Sequence, residues 1–172
     1  MSEWPIASVE ARDEIPEGIA VLTYQELNPD EISRSVEDPR AGATAIFIGT
    51  TRNSFKGKTV TRLDYQAYSK LAIKTMTSII CTAHQTYSRS IHQAEGVPVP
   101  SVIRSAVYHR LGTVPVGKPS IVIAVSSPHR KEAFQACEFI LEKVKQDVQI
   151  WKREFYEGDK DDEAEWKSNT AP

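Results

Sequence analysis

Apolar residues recur along the chain with two kinds of spacing, and each kind predicts a different element. Between residues 133 and 144 they return every third or fourth position, which places them on one face of a helix. The same spacing extends from about residue 69 to residue 87. Residues 121–126 are instead continuously apolar and rich in β-branched side chains, which is typical of a buried strand. Residues 126–128 (Ser-Ser-Pro) then have the chemistry of a helix start.

Shorter apolar runs predict the remaining strands and indicate the fold class. Strands are expected at residues 18–27, 42–51, 59–68, 101–111 and 148–155. The run 42–51 predicts burial on both faces, and a short helix starts at Asn28 and ends near residue 38. The turn 113–119 joins two strands into a hairpin. Because strands occur both in hairpins and between helices, we expect an α+β fold. Its sheet is mixed and largely antiparallel, with two long helices packed on it.

The length of 172 residues predicts one main domain with two flanking segments. Residues 1–17 are expected to form an arm, ordered only where Trp4 or Ile6 meets a partner surface. Residues 18–156 form the domain, and residues 157–172 form an acidic, mostly solvated tail in which Trp166 and Lys167 can dock.

Composition narrows the class of function. A net charge of −2 argues against a general nucleic-acid binder, so basic residues should matter locally. No apolar run reaches the length of a membrane span, and the N-terminus lacks the features of a signal peptide. Cys81 and Cys137 lie in apolar helical patterns, as reduced core residues of an intracellular protein do. We therefore expect a cytosolic protein without a metal site.

Two groups of polar residues at the ends of predicted elements are candidate anion-binding sites. Thr50, Thr51 and Arg52 follow a strand, where hydroxyls and a guanidinium suit a phosphate or carboxylate. His129 and Arg130 lie at the start of the last long helix, where backbone N–H groups favour an anion. The alternatives are an arginine that ends its strand in solvent and an exposed histidine without a partner.

The third candidate is the pair Lys145 and Lys152. Strand alternation places Lys152 on one face of the segment 148–155, with Trp151 and Arg153 on the other. A lysine beside apolar side chains can act as an acid or base near neutrality. The alternative is an edge strand protected from aggregation by its charges. No glycine-rich phosphate loop, nucleophile elbow or CxxC pair is present, which favours transfer chemistry on an anionic substrate, with the nucleophile brought from outside.

The length of the last helix limits how these residues cooperate. Arg130 and Lys145 are separated by about 22 Å at 1.5 Å per residue, which no small-molecule pocket spans. Either the two ends serve different sites, or two copies of the chain share each site in a dimer.

Four stretches of the sequence resemble the large, catalytic subunit of molybdopterin synthase. They are FIGTTRN at 47–53, YHRLGTVPVG at 108–117, SSPHRKEAF at 126–134 and FILEKVKQDVQIWKRE at 139–154. The spacing of seven between Lys145 and Lys152 is the most specific part. The sequence departs from the family at Gln149, where a proline is common, and in the longer segment 88–100. The acidic tail matches only loosely.

The resemblance implies an α/β hammerhead-like fold and a sulfurtransferase that converts cyclic pyranopterin monophosphate (precursor Z) to molybdopterin. The sulfur arrives as a C-terminal Gly-Gly thiocarboxylate on a small ubiquitin-like partner, in a heterotetramer built on a large-subunit homodimer. By position, Lys145 and Lys152 are the catalytic pair. The residues implied to bind substrate or line the pocket are Thr50, Thr51, Arg52, His129, Arg130, Arg153 and Glu154. No cofactor, nucleic acid or membrane is implied. A non-catalytic subunit that presents its basic pocket to a partner's tail and a nucleotide-binding module remain as alternatives.

Overall fold

The computed structural model describes residues 4–92, 94–96 and 98–169, which form ten strands and three α-helices. In chain order the strands are β1 Ala11–Ile15, β2 Gly18–Thr23, β3 Ala43–Thr50, β4 Ser54–Phe55, β5 Lys58–Ala67, β6 Arg104–Arg110, β7 Gly112–Pro115, β8 Pro119–Ser127, β9 Ile150–Tyr156 and β10 Lys167–Ser168. The helices are α1 Pro29–Arg34, α2 Ser69–Thr86 and α3 Arg130–Asp147. A 3₁₀ turn covers Asp161–Glu163. None of the helices in the described ranges has the length and apolarity that a membrane span requires.

The strands form two sheets, and the α+β class with largely antiparallel pairing is confirmed. The first sheet has the order β1-β2-β6-β8-β3, and its β2–β6 pair is parallel. The second has the order β10-β9-β5-β4, and β7 also pairs with β5. The segment predicted as a turn at 113–119 thus contains part of a strand. After β6 the chain leaves the first sheet and pairs with β5 of the second sheet as β7. It then returns to the first sheet as β8, which pairs with β6.

The two helix starts show different local chemistry. Asn28 caps α1 as its sequence predicts, because its side-chain oxygen accepts hydrogen bonds from the N–H groups of Asp30 and Glu31. The predicted cap of α3 is wrong. Its N-cap is His129, which makes no side-chain capping bond, while Ser127 is the last residue of β8. The Ser127 hydroxyl accepts the backbone N–H of His129 at 3.2 Å and so fixes the chain between strand and helix.

The main core lies between the first sheet and the helices α2 and α3. Met76 of α2, Ile140 of α3 and Ile123 of β8 are completely buried in it. A smaller cluster joins α1 to the opposite face of β2, β6 and β8. This cluster does not reach β3, which lies at the edge of the sheet, and Ile46 and Ile48 are each 44% exposed. The prediction that this strand is buried on both faces is therefore wrong.

Both flanking segments contain strands that join a sheet. Within residues 1–17, β1 pairs with β2 along its whole length, which the sequence did not predict. Within the acidic tail, β10 pairs with β9, and carboxylates of Asp159 and Asp161 bind basic residues of β5 at 2.9 and 3.0 Å. The division into arm, domain and tail stays a prediction. The described residues of the segment 88–100 form no helix or strand, and positions 93 and 97 lie outside the described residues.

Candidate active site

A cleft of about 540 Å³ is lined by residues from both sheets and from the last turn of α3. Its apolar wall includes Phe47, Val60, Leu63 and Ile121. Its polar lining residues are Thr50, Arg52, Ser54, Tyr65, His109, Ser120, Lys145, Lys152, Glu154 and Asn169. The cleft therefore brings together polar and charged groups that are far apart in sequence.

Lys145 and Lys152 reach this cleft from two different elements. Lys145 is exposed in the last turn of α3, and the chain then reverses so that β9 runs along β5. Alternation along β9 directs Lys152 and Glu154 to the cleft, because residues two apart share a face. The spacing of seven that marked these lysines in the sequence thus corresponds to a helix end, a reversal and the start of a strand.

Lys152 and Glu154 form a largely buried ion pair. The Lys152 Nζ lies 3.4 Å from Glu154 Oε1, with the two side chains only 14% and 9% exposed. The Tyr156 hydroxyl donates a short hydrogen bond to the other carboxylate oxygen. Burial and, to a lesser degree, the nearby Glu154 carboxylate raise the pKa of Tyr156 to about 12, so the phenol stays a hydrogen-bond donor. Lys145, in contrast, forms no ion pair with any described residue.

Of the predicted strand-end group, Thr50 and Arg52 line the cleft and Thr51 does not. Thr51 is only 3% exposed, and its backbone N–H and C=O bond the turn at Lys118 and Gly117. Its hydroxyl has no partner among the described residues. The guanidinium of Arg52 lies 5.7 Å from the ring centroid of Phe55, within cation–π range.

Arg153 lies on the face of β9 opposite the cleft, as strand alternation predicts. Its guanidinium binds Asp64 at 3.2 Å and stacks over the rings of Phe155 and Trp166, at 4.8 and 4.7 Å from their centroids. The structure therefore does not bring Arg153 to the cleft. In this position it holds the C-terminal segment against the second sheet.

His129 and Arg130 line a separate recess of about 580 Å³ at the other end of α3, together with His92 and Lys131. The length of α3 separates this recess from Lys145, so one chain does not bring both groups to the same pocket.

His109, Tyr65 and Asn169 line the cleft without having been proposed from the sequence. His109 is 1% exposed, and its Nδ1 lies 2.8 Å from the Arg110 carbonyl, so Nδ1 carries a proton. Burial lowers the pKa of His109 to about 4, which leaves Nε2 as an acceptor 3.5 Å from the Asn169 amide. The apolar residues Val107 and Leu111 lie two positions before and after His109, and strand alternation with them could have placed His109 inside. Nothing in the tail sequence indicated Asn169.

Neither cysteine lines the cleft. Cys137 is buried against the first sheet, and burial raises the pKa of its thiol to about 11, far from the range of a thiolate nucleophile. Burial also raises the pKa of Cys81. Across the described ranges, no group of three or more His, Cys, Asp or Glu side chains is arranged to hold a metal ion.

Comparison with known proteins places the chain in one family. The family model described as MoaE protein matches residues 22–147, and the chain belongs to that family. It is 40% identical to the molybdopterin synthase catalytic subunit of Taeniopygia guttata, over 94% of both proteins. It is 45% identical to that of Pyricularia oryzae, over 86% of this chain and 72% of the relative. A crystal structure of molybdopterin synthase from Staphylococcus aureus matches with a TM-score of 0.72 and 27% identity, over 85% of this chain and 94% of the other.

Proposed function

We propose that this chain is the catalytic subunit of a cytosolic molybdopterin synthase, a sulfurtransferase that converts precursor Z to molybdopterin. The observation that supports it best is the meeting of Lys145 and Lys152 in one cleft that contains no cysteine. An enzyme that installs sulfur without a thiol in its own cleft needs a sulfur donor from outside. Membership of the MoaE family supports the same reaction.

The donor in this proposal is the C-terminal thiocarboxylate of a small ubiquitin-like partner, whose Gly-Gly tail enters the cleft. An extended tail of glycines is narrow enough for a cleft of this size, and its terminal charge is negative. Lys145 is exposed and forms no ion pair within the described part of the chain, so it is available to bind that charge.

The reaction in the cleft is the replacement of oxygen by sulfur on the pterin side chain. The thiocarboxylate sulfur forms a bond to a side-chain carbon, and that carbon gives up an oxygen. Water then cleaves the bond between the sulfur and the partner's acyl carbon, which leaves the sulfur on the pterin and a carboxylate on the partner. An ammonium group of Lys145 or Lys152 supplies the proton that the departing oxygen takes. Glu154 holds the Lys152 ammonium in place through its 3.4 Å contact. Thr50 and Arg52 contact the substrate from the end of β3.

The proposed assembly pairs two copies of this chain, so that the recess of one copy lies beside the cleft of the other. His129 and Arg130 would then reach the substrate across the dimer, which their distance from Lys145 within one chain does not permit. One partner on each copy completes a heterotetramer.

Reconstitution with a thiocarboxylated partner and precursor Z tests this function. The expected result is molybdopterin formation by the wild-type chain and loss of product in Lys145→Ala. A chain that binds the partner's tail but forms no product would instead be a non-catalytic docking subunit. A complex that contains a single copy of this chain, by sedimentation equilibrium, would contradict the shared site.

A further inference from the structure

The chain crosses between the second sheet and the helices at two points that lie side by side. Tyr68 alone separates β5 from α2, and Val148 and Gln149 alone separate α3 from β9. The backbone N–H of Tyr68 donates a hydrogen bond to the carbonyl oxygen of Gln149 at 3.1 Å. This bond holds the two crossings together.

The side chain of Gln149 binds both long helices. Its Nε2 donates to the backbone carbonyl of Asp147 at 2.9 Å, and this carbonyl at the end of α3 has no partner within its own helix. Its Oε1 accepts a hydrogen bond from the Thr75 hydroxyl of α2 at 3.0 Å. Gln149 is half-buried, so these bonds are partly shielded from competing water. One residue therefore fixes the end of α3, the middle of α2 and the entry into β9.

The second crossing lies between the two lysines of the cleft. Lys145 belongs to the last turn of α3, and Lys152 belongs to β9, so the distance between their ammonium groups depends on how α3 meets the second sheet. A displacement of about 1 Å in a catalytic group can lower a rate by up to about 100-fold. A crossing that moves freely would therefore weaken the cooperation of the two lysines.

We propose that Gln149 is a positioning residue, whose three hydrogen bonds hold α3 and β9 at the separation that Lys145 and Lys152 need for sulfur transfer. This inference rests on the proposed function and adds to it a residue that does not line the cleft.

Two substitutions at Gln149 test whether a fixed crossing is what the reaction needs. Gln149→Ala removes both side-chain bonds, and Gln149→Pro removes the same bonds but fixes the backbone. Proline suits this position because the N–H of Gln149 makes no hydrogen bond within the described residues. Val148 before it is already extended, with φ −79° and ψ 137°, as a residue that precedes proline prefers.

Steady-state kinetics of the reconstituted complex gives the first measurement. We expect Gln149→Ala to lower kcat about tenfold and to leave KM for precursor Z within about twofold, because positioning acts on the transition state. Gln149→Pro should return kcat to within about threefold of the wild type, because its ring limits the motion of the crossing.

Thr75 provides a second variant and a matched control. Thr75→Val removes only the bond from α2, so kcat should fall by no more than in Gln149→Ala, and the double variant should equal Gln149→Ala. The Thr75 hydroxyl also lies 3.1 Å from the Leu71 carbonyl of its own helix. The hydroxyl of Thr82 makes the corresponding bond to Ser78 at 2.9 Å and, among the described residues, no other. Thr82→Val should therefore keep the wild-type kcat.

Amide hydrogen exchange of the full chain reports on the crossing without any reaction. The Tyr68 amide should exchange about tenfold faster in Gln149→Ala and at the wild-type rate in Gln149→Pro. Ile32→Val controls for lost stability, because it removes a buried methyl group from the cluster around α1, on the other face of the first sheet. It should lower the melting temperature and leave kcat unchanged.

Four outcomes overturn the proposal. They are a wild-type kcat in Gln149→Ala, an equal loss of kcat in Ile32→Val, and a double variant that is slower than Gln149→Ala by the full factor of Thr75→Val. The fourth is a Gln149→Pro variant as slow as Gln149→Ala although its Tyr68 amide exchanges as in the wild type. Absence of product from the wild-type complex would instead refute the proposed function, while the exchange of the Tyr68 amide would still report on the crossing.

Discussion

Replacement of Lys152 by alanine tests the chemistry of the cleft most directly. A positioned side chain that transfers a proton contributes roughly 10²- to 10⁴-fold to a rate. We therefore expect Lys152→Ala to lower kcat at least about 100-fold, which corresponds to about 2.7 kcal/mol of transition-state stabilisation. The assay is a single turnover of precursor Z with excess thiocarboxylated partner, followed by quantification of molybdopterin.

The same substitution also leaves the Glu154 carboxylate buried without its ammonium partner. That carboxylate keeps only the Tyr156 hydroxyl among its described contacts, so part of any rate loss could come from an unpaired charge. The double variant Lys152→Ala/Glu154→Gln removes both charges and separates the two causes. If Lys152 acts on the substrate, the double variant stays as slow as the single one. If Lys152 only neutralises Glu154, the double variant regains the rate.

Lys143→Ala is the control for a lysine at the same end of α3 that does not line the cleft. Its ammonium lies 3.9 Å from Asp147 with both side chains well exposed, so a pair of this kind contributes little to stability. The rate of this variant should match the wild type. A wild-type rate in Lys152→Ala, with its melting temperature preserved, would refute the catalytic assignment.

Three further predictions concern groups around the cleft. Burial lowers the pKa of His109 from 6.5 to about 4, so its contribution to the free energy of unfolding is complete above pH 6.5 and is lost as the pH falls towards 4. Urea unfolding at pH 7 and pH 4.5 should therefore show a loss of stability in the wild type that is up to about 3 kcal/mol larger than in His109→Gln. An equal loss of stability in the two proteins would contradict the assignment. Trp166→Ala removes the ring stacked on Arg153 and should speed amide hydrogen exchange in residues 157–169 while exchange in α3 stays unchanged. Cys137→Ala should leave sulfur transfer at the wild-type rate, since its thiol lies outside the cleft; a lost rate with an intact fold would show that this thiol takes part.

Local patterns predicted the parts of the site that lie within one element. The apolar face of α3 and the alternation of β9 were enough to place Lys145 at a helix end and Lys152 and Arg153 on opposite faces. The resemblance grouped Arg153 with the pocket. The alternation of β9 instead placed Arg153 on the face opposite Lys152, which is where it lies in the structure. For Arg153, the periodicity of the strand was thus a better guide to side-chain orientation than the resemblance.

Long-range pairing could not be predicted in the same way. Asn169 reaches the cleft because β10 pairs with β9, and the tail that carries it has the composition of a solvated segment. β1 is similar, since its alternating residues ARDEI are mostly charged and its stability comes from pairing with β2 and packing under α2. Both are cases in which tertiary contacts, and not local propensity, form the strand.

The length of α3 has a genetic consequence if two copies share their sites as proposed. A copy with a defective Lys145 and a copy with a defective Arg130 would together keep one complete site, because the intact halves meet across the dimer. Both defects carried by a single allele would silence both sites of a mixed dimer with a wild-type copy. Two alleles that fail alone should therefore complement each other in trans, whereas the doubly altered allele should act as a dominant negative.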